Sequence, residues 1–328
     1  TPSFDHMYLQ LKLNQFRLDL LSGQLGSELF DGARINRNIS GHRFTWISKN
    51  EQLFVSFGEK IIYTGINRGF EWHYLNPFIP YFFTALEGDE EENTDGDNDN
   101  SILFATMRYV YKPQLSVFGE LLIDDFQVDN NNYQDGLGYK VGIDGAFDIS
   151  GKPTTWALEW TSINSWTYIH HGQYTSWQNR GHALGYLYGP DLRSLYLQAD
   201  MQINKSLLVN IEADLLEKGT NTLSTEWGNV DNTDDPFPKP PVTNHTLFAT
   251  SLGWYWKYGI IEAGWSNYDF PNKIAFNDPQ AKNDGSLLLE STVILRIWVR
   301  SEIIHYFLQT NFIRPPVTHS THIICIVL

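Results

Sequence analysis

The stretch LYLQADMQINKSLLVNIEADL, residues 195–215, decides the fold of this chain. On both sides of residues 204–206, apolar residues alternate with polar ones, and this two-residue period is typical of a β-strand with one apolar face. With residues 204–206 as the connection, the apolar residues face each other as Leu195 with Leu215, Leu197 with Ala213, Ala199 with Ile211, Met201 with Val209, and Ile203 with Leu207. A slip by one residue would set Leu197 against Glu212, so the pattern predicts the register.

A second hairpin with the same pattern is predicted around residues 112–114. It pairs Leu103 with Ile123, Ala105 with Leu121, Met107 with Gly119, Tyr109 with Val117, and Tyr111 with Leu115. The alternation continues along the chain and predicts strands at residues 6–13, 15–21, 43–49, 52–63, 102–111, 115–124, 138–149, 154–165, 193–203, 207–216, 245–256, 260–268 and 286–299, with a further strand near 301–309.

The connections between these strands are short and long in turn. Short ones fall at residue 14 and at residues 49–51, 112–114, 150–153, 204–206 and 257–259, and long ones at 64–101, 125–137, 166–192, 217–244 and 269–285. In an antiparallel meander this order places the long connections at one end of the sheet. A full strand at residues 183–188 would invert the order, so residues 168–193 are predicted to form a folded excursion.

The predicted fold is all-β: one antiparallel transmembrane β-barrel over residues 1–328, with at least about 12 to 14 strands, long extracellular loops and a partly plugged lumen. Strands of about ten residues suit a tilted bilayer crossing. Charges on the polar face, such as Arg108 near Glu120, suit a wet interior. Interfacial girdles are suggested by aromatic residues near strand ends, namely Tyr109, Tyr111, Trp156, Trp166, Trp254 and Trp256. A soluble β-sandwich or β-sheet enzyme is the alternative, because alternation alone does not say which face meets water.

The composition excludes several classes of function and of site. A formal charge of −15 argues against nucleic acid as a partner, since phosphate binding requires a basic surface. Cys325 is the only cysteine, which excludes a disulfide within the chain and a cysteine-based metal site. The chain starts at Thr1 without a leader, so we expect a removed signal peptide or a fragment. Residues 300–328 lose the alternation and are expected to be an atypical, truncated or frame-shifted end.

Two segments, residues 41–82 and 167–194, depart from simple alternation. Both are rich in the aromatic, amide and acidic side chains that bind sugars. The alternative is that these side chains only brace the interior of the barrel. The candidate polysaccharide-binding residues are His42, Arg43, Glu59, Arg68, Glu71, Tyr74, Asn76, Asp124, Asp125, Glu159, His170, His171, Tyr174, Arg180 and Asp191.

Catalysis, cofactors and metals are not expected. His170, His171 and His182 do not have the spacing of a known metal-ligand set. The acidic run Asp95, Asp97 and Asp99 resembles the start of a calcium loop but lacks its Gly and closing Glu, so a solvated loop and weak calcium bridging both stay open. No GxSxG, P-loop, HExxH or Rossmann fingerprint is present. Glycoside hydrolysis would need two acids at a defined separation, with the candidates Asp124, Asp125, Glu159, Glu212 and Asp214.

Several of these blocks, in this order, resemble the capsule assembly Wzi family. They are GHRFTW from Gly41, the strand with Glu59, EWHYLNPFIPYF from Glu71, LLIDDF from Leu121, HHGQY from His170 and RGHALGYLYGPD from Arg180. The resemblance covers residues 41–203. It implies an outer-membrane β-barrel that binds exopolysaccharide and helps to attach capsule, a lectin without catalysis. Family barrels have more strands than are visible here.

We therefore expect a monomeric protein of the bacterial outer membrane. Its expected partners are outer-membrane lipid and a surface or capsular polysaccharide. The alternatives are a substrate-selective porin, whose interior conducts small solutes, and a soluble β-rich glycan hydrolase.

Overall fold

A computed structural model describes residues 4–30, 32–81, 99–125, 134–170, 173–225, 235–257 and 259–268, and the backbone of residues 290–300 and 321–327. Within these ranges fifteen strands form one antiparallel sheet, and a further two form a separate short hairpin. The strands are β1 (Asp5–Leu13), β2 (Phe16–Gln24), β3 (Glu28–Phe30), β4 (Ala33–Ile47), β5 (Leu53–Ile66), β6 (Asn100–Lys112), β7 (Leu115–Asp125), β8 (Gly136–Ile149), β9 (Lys152–Ile163), β10 (Gln178–Asn179), β11 (His182–Ala183), β12 (Leu192–Asn204), β13 (Leu207–Lys218), β14 (Thr243–Trp256), β15 (Gly259–Tyr268), β16 (Glu290–Arg300) and β17 (Thr321–Val327).

The sheet is a meander in which each long strand pairs with its neighbours in the sequence. Its order runs from β1 at one edge to β17 at the other, and the described pairings do not join these two edges. The predicted order of connections is confirmed: residues 67–99, 126–135, 164–191 and 219–242 connect strands at one end, here called the long-loop end. The folded excursion is confirmed too, because β9 pairs directly with β12, and the described residues of 164–191 hold a 3-10 helix at Gln173–Thr175 and, as strands, the short β10 and β11 alone.

The predicted registers hold along the strands and fail at the turns. Leu195 lies opposite Leu215, and Leu103 lies opposite Ile123, as expected. The pairs of Ile203 with Leu207 and of Tyr111 with Leu115 are wrong. A β-bulge places Asn204 opposite Leu207 and Lys112 opposite Leu115, so each turn has one residue fewer than predicted.

Strand β4 begins at Ala33, ten residues before the predicted start at residue 43, and pairs with the unpredicted β3. In its first half the polar residues Arg37, Asn38 and Ser40 are buried, because other segments cover both faces of the strand there. Strand β17 was not predicted either, although its sequence THIICIV is rich in β-branched residues. The strand predicted near 301–309 lies outside the described residues.

The sheet has an apolar face and a polar face. On the apolar face, Leu195, Leu197 and Leu215 are exposed by 41%, 43% and 53%. On the polar face, Arg108 lies diagonally across from Glu120 on the neighbouring strand, but forms its ion pair with Asp144 at 2.7 Å. Among the predicted girdle residues, Tyr109, Tyr111 and Trp254 are exposed, but Trp166 is buried. Within the described part of the chain, no helix is long and apolar enough to cross a membrane.

Candidate functional site

Residues 68–81, here called the strap, lie against the apolar face of β4 and β5. Tyr74 and Tyr81 of the strap are buried against Ile61 and Tyr63 of β5. The ring of His42, on β4, lies 4.7 Å from the ring of Tyr81 between their centroids. The strap therefore covers side chains that would otherwise be exposed on the apolar face.

Charged and phenolic groups fasten the strap. Arg68 binds Glu71 at 2.7 Å and Asp99 at 2.5 Å, and the Tyr74 hydroxyl donates to Asp99. Burial lowers the pKa of Arg68, but hydrogen bonds and charge attraction from Glu71 and Asp99 outweigh it, so the net shift is upward. Burial, and then the nearby Asp99, raise the pKa of Tyr74, which keeps its phenol a hydrogen-bond donor.

The excursion, residues 164–191, covers the opposite, polar face at the long-loop end. Its buried residues Tyr168, Trp177 and Tyr188 pack against the sheet in one apolar cluster, with Ile39, Ile62, Ile102, Ile163, Leu192, Leu216 and Leu247. The strap and the excursion are thus separated by the thickness of the sheet.

Asp191 ties the excursion to the connection between β13 and β14. Its carboxylate accepts hydrogen bonds at 2.8 Å from the Ser165 hydroxyl and from the backbone N–H groups of Asn221 and Lys239. Asp191 is fully buried and has a φ of 60°, a left-handed conformation that is uncommon for a residue other than glycine. These bonds occupy the carboxylate within the protein and make it a structural group.

A cavity of about 370 Å³ lies between the polar face and the excursion. Its walls combine aromatic rings with charged groups from four strands, β4, β5, β7 and β8. The lining includes Tyr168, Trp177, Tyr186, Arg43, Lys60, Glu120 and Lys140. This volume is within the range of small-molecule sites, and aromatic faces beside charged groups suit a sugar ring.

The charges around the cavity are partly paired. Arg43 binds Asp19 at 2.9 Å, and Lys140 lies 3.8 Å from both Glu120 and Glu159. The Lys140 ammonium also lies 5.9 Å from the centre of the Tyr186 ring. Polar and aromatic groups therefore meet on one wall.

The candidate residues do not converge on one site. The apolar face or the strap carries His42, Glu59, Arg68, Glu71, Tyr74 and Asn76. The Glu59 carboxylate accepts the Tyr81 N–H, and Asn76 caps its own turn by accepting the Phe78 N–H at 3.1 Å. The sheet separates these groups from Arg43 and Glu159 on the polar face.

The candidates near the excursion also have partners within the protein. The Asp124 carboxylate accepts the Tyr168 N–H at 2.5 Å, and His170 lies 3.3 Å from the Thr175 hydroxyl. The carbonyl of Tyr174 accepts a hydrogen bond from Arg37. Arg180 lies in the exposed turn between β10 and β11. His171, Asp95, Asp97 and the side chain of Asp125 lie outside the described residues.

The sequence analysis missed four residues of this region: Lys60, Lys140, Trp177 as a cavity wall, and the buried Arg37. The alternation places the side chains of Lys60 and Lys140 on the polar face. Together with the strand order, this would have predicted that both line the same side of the cavity. Within the described residues, no group of three His, Cys, Asp or Glu side chains is arranged to hold a metal ion.

No protein-family model and no curated protein sequence matches the chain. Its fold is similar to that of Wzi from Escherichia coli, an outer-membrane protein involved in group 1 capsule assembly and a carbohydrate-binding β-barrel. The TM-score is 0.50 at 15% identity over 78% of this chain and 52% of that one, so this chain spans about half the length of Wzi. The ferric-catecholate import receptor Fiu of E. coli K12 (TM-score 0.40, 9% identity, 90% and 54% covered) and the monoaromatic hydrocarbon channel CymD (0.25, 10%, 89% and 71%) also match, at scores too low to support an argument. The similarity to Wzi shows the fold, a large antiparallel sheet that resembles an outer-membrane β-barrel.

Proposed function

We propose that this chain is a monomeric outer-membrane β-barrel, closed in the full protein, that binds a surface polysaccharide without turning it over. The excursion partly plugs the interior at the long-loop end, which faces the outside of the cell. The sugar binds in the cavity beneath it.

The observation that carries this proposal is the cavity itself. It places the rings of Tyr168, Trp177 and Tyr186 beside charged groups, in about 370 Å³. Of the residues predicted from the sequence, Arg43 lines it and Glu159 lies next to its wall. The similarity in fold to a carbohydrate-binding barrel agrees with this proposal.

The proposal is tested by retention of the purified chain on immobilised capsular or exopolysaccharide. Replacing Tyr186 with Ala removes an aromatic face from the cavity and should weaken binding by about 1 kcal/mol, or roughly fivefold. Tyr255→Ala is the matched control, because Tyr255 lies on the polar face at the opposite end of the sheet. We expect Tyr255→Ala to bind like the native chain.

Equal loss in both variants would point to a general defect rather than to the cavity. If the native chain is not retained but conducts small solutes across planar bilayers, the porin replaces the lectin. Release of shortened glycans would support the hydrolase instead.

A further inference from the structure

Lys60 is the cation of the cavity lining that has no ion-pair or hydrogen-bond partner in the described part of the chain. Its ammonium makes neither an ion pair nor a hydrogen bond there, and lies 5.4 Å from the centre of the Phe104 ring. The charge of Arg43 repels it, and that of Glu120 attracts it from a distance. Arg43 faces Asp19, and Lys140 faces both Glu120 and Glu159, so among the cations that line the cavity Lys60 is the one whose ammonium has no carboxylate of the described residues within ion-pair distance.

Trp177 adds a second unused donor. Its side chain is buried, with 2% exposure, and the indole Nε1–H has no acceptor among the described residues. Buried donors are nearly always paired, so an unpaired one at the wall of a cavity points to an acceptor that a ligand supplies. Lys60 and Trp177 both line this cavity.

We propose that the sugar bound in this cavity carries a carboxylate, as a uronic acid does. The carboxylate accepts hydrogen bonds from Lys60, while a ring or hydroxyl oxygen accepts the Trp177 indole N–H. A carboxylate is favoured over a hydroxyl because hydrogen bonds between ionised groups are about twice as strong as neutral ones. This inference rests on the proposed function and names the chemical class of its ligand.

The test uses an array of bacterial polysaccharides in which each uronate-containing glycan is paired with its carboxyl-reduced form. Reduction converts the carboxylate to a hydroxymethyl group and leaves the ring and linkages unchanged. The native chain should prefer the acidic member of each pair that it binds. Lys60→Met keeps an unbranched apolar side chain at this position but removes the charge, and should lose about tenfold or more in affinity for acidic glycans only.

Three further variants test whether the effect comes from the charge of Lys60 and from the cavity. Lys60→Arg restores the charge and should keep the preference for acidic glycans. Lys205→Met, in the turn between β12 and β13, makes the same chemical change away from the cavity and should change nothing. Trp177→Phe keeps a six-membered aromatic ring but removes the pyrrole ring with its N–H, and should weaken binding of acidic and reduced glycans alike.

Binding of the reduced forms as tightly as the acidic ones, or acidic binding that survives Lys60→Met, would overturn this inference and leave the polysaccharide-binding proposal standing. A native chain that binds no glycan on the array would overturn both. Unfolding temperatures of all variants identify any loss that comes from misfolding.

Discussion

At the scale of single residues, the excursion depends on one buried side chain of the sheet. The Arg37 guanidinium donates to the carbonyls of Tyr174, Ser176 and Gln178, and forms an ion pair with Glu28 at 2.8 Å. Tyr174 and Ser176 precede β10 and lie in no strand, and Gln178 is the first residue of the two-residue β10. Arg37 therefore supplies the hydrogen bonds that a β-ladder would otherwise provide.

Replacing Arg37 with Met should destabilise the protein by about 3 to 5 kcal/mol, because it leaves buried carbonyls and a carboxylate without donors. In the Arg37→Met variant, hydrogen exchange of the backbone amides at residues 174–179 should also be faster than in the native chain. Arg34→Met is the control, since Arg34 is an exposed residue of the same strand, and should cost no more than about 0.5 kcal/mol. If both variants exchange alike, Arg37 does not hold the excursion.

At the scale of elements, the hairpin of β12 and β13 separates two environments. Leu197 is 43% exposed on the apolar face, while Gln198 lies on the polar face and donates to Asp200 at 3.1 Å. An apolar face this exposed is costly in water but suits a bilayer. The strap, which covers part of the same face, carries exposed Trp72 and Phe78, residue types that favour the membrane interface.

Leu197→Arg, or Val209→Arg on the neighbouring strand, should destabilise the protein in lipid vesicles by about 2 to 4 kcal/mol if the residue lies at the bilayer midplane. The same substitution at Gln198 should be mild, because that position faces the polar side. The measurement is the free energy of unfolding in urea. Equal tolerance at Leu197 and Gln198, or recovery of the native chain in the soluble fraction, would contradict the membrane location.

At the scale of the whole molecule, the meander determines which connections lie together. Because β-strands alternate in direction, the connections after β5, β7, β9, β13 and β15 share one end, and the tight turns share the other. The cavity, the excursion and the proposed sugar site all lie at the long-loop end. If the long-loop end faces the outside of the cell, as proposed, the sugar site is therefore reached from outside.

An epitope tag inserted within residues 89–98 should bind antibody on intact cells, because this connection lies at the long-loop end. A tag in the turn at Lys205 and Ser206 should bind antibody only after the cells are permeabilised. Flow cytometry with and without permeabilisation makes the comparison. Labelling of both tags on intact cells would rule out the proposed topology.

The sequence by itself determined most of the long strands, their order and most of their register, but not β3, β17 or the first half of β4. These properties are local: a two-residue period marks each strand, and opposed apolar residues select one pairing, as Leu197 and Ala213 do. The lengths of the connections then determined the end at which each lies. The bulges at Ile203 and Tyr111 were not predicted, because they depend on the geometry of the turn and not on the alternation.

Only the tertiary structure decided which face each long connection covers. The strap lies on the apolar face and the excursion on the polar face. Adjacent residues therefore have different surroundings: His42 packs against Tyr81 of the strap, and Arg43 lines the cavity beneath the excursion. The same covering explains the early start of β4, whose polar residues find partners in both segments. No periodicity encodes these placements, because they depend on side chains from distant strands meeting across space, and the cavity with Lys60 and Trp177 exists only where they meet.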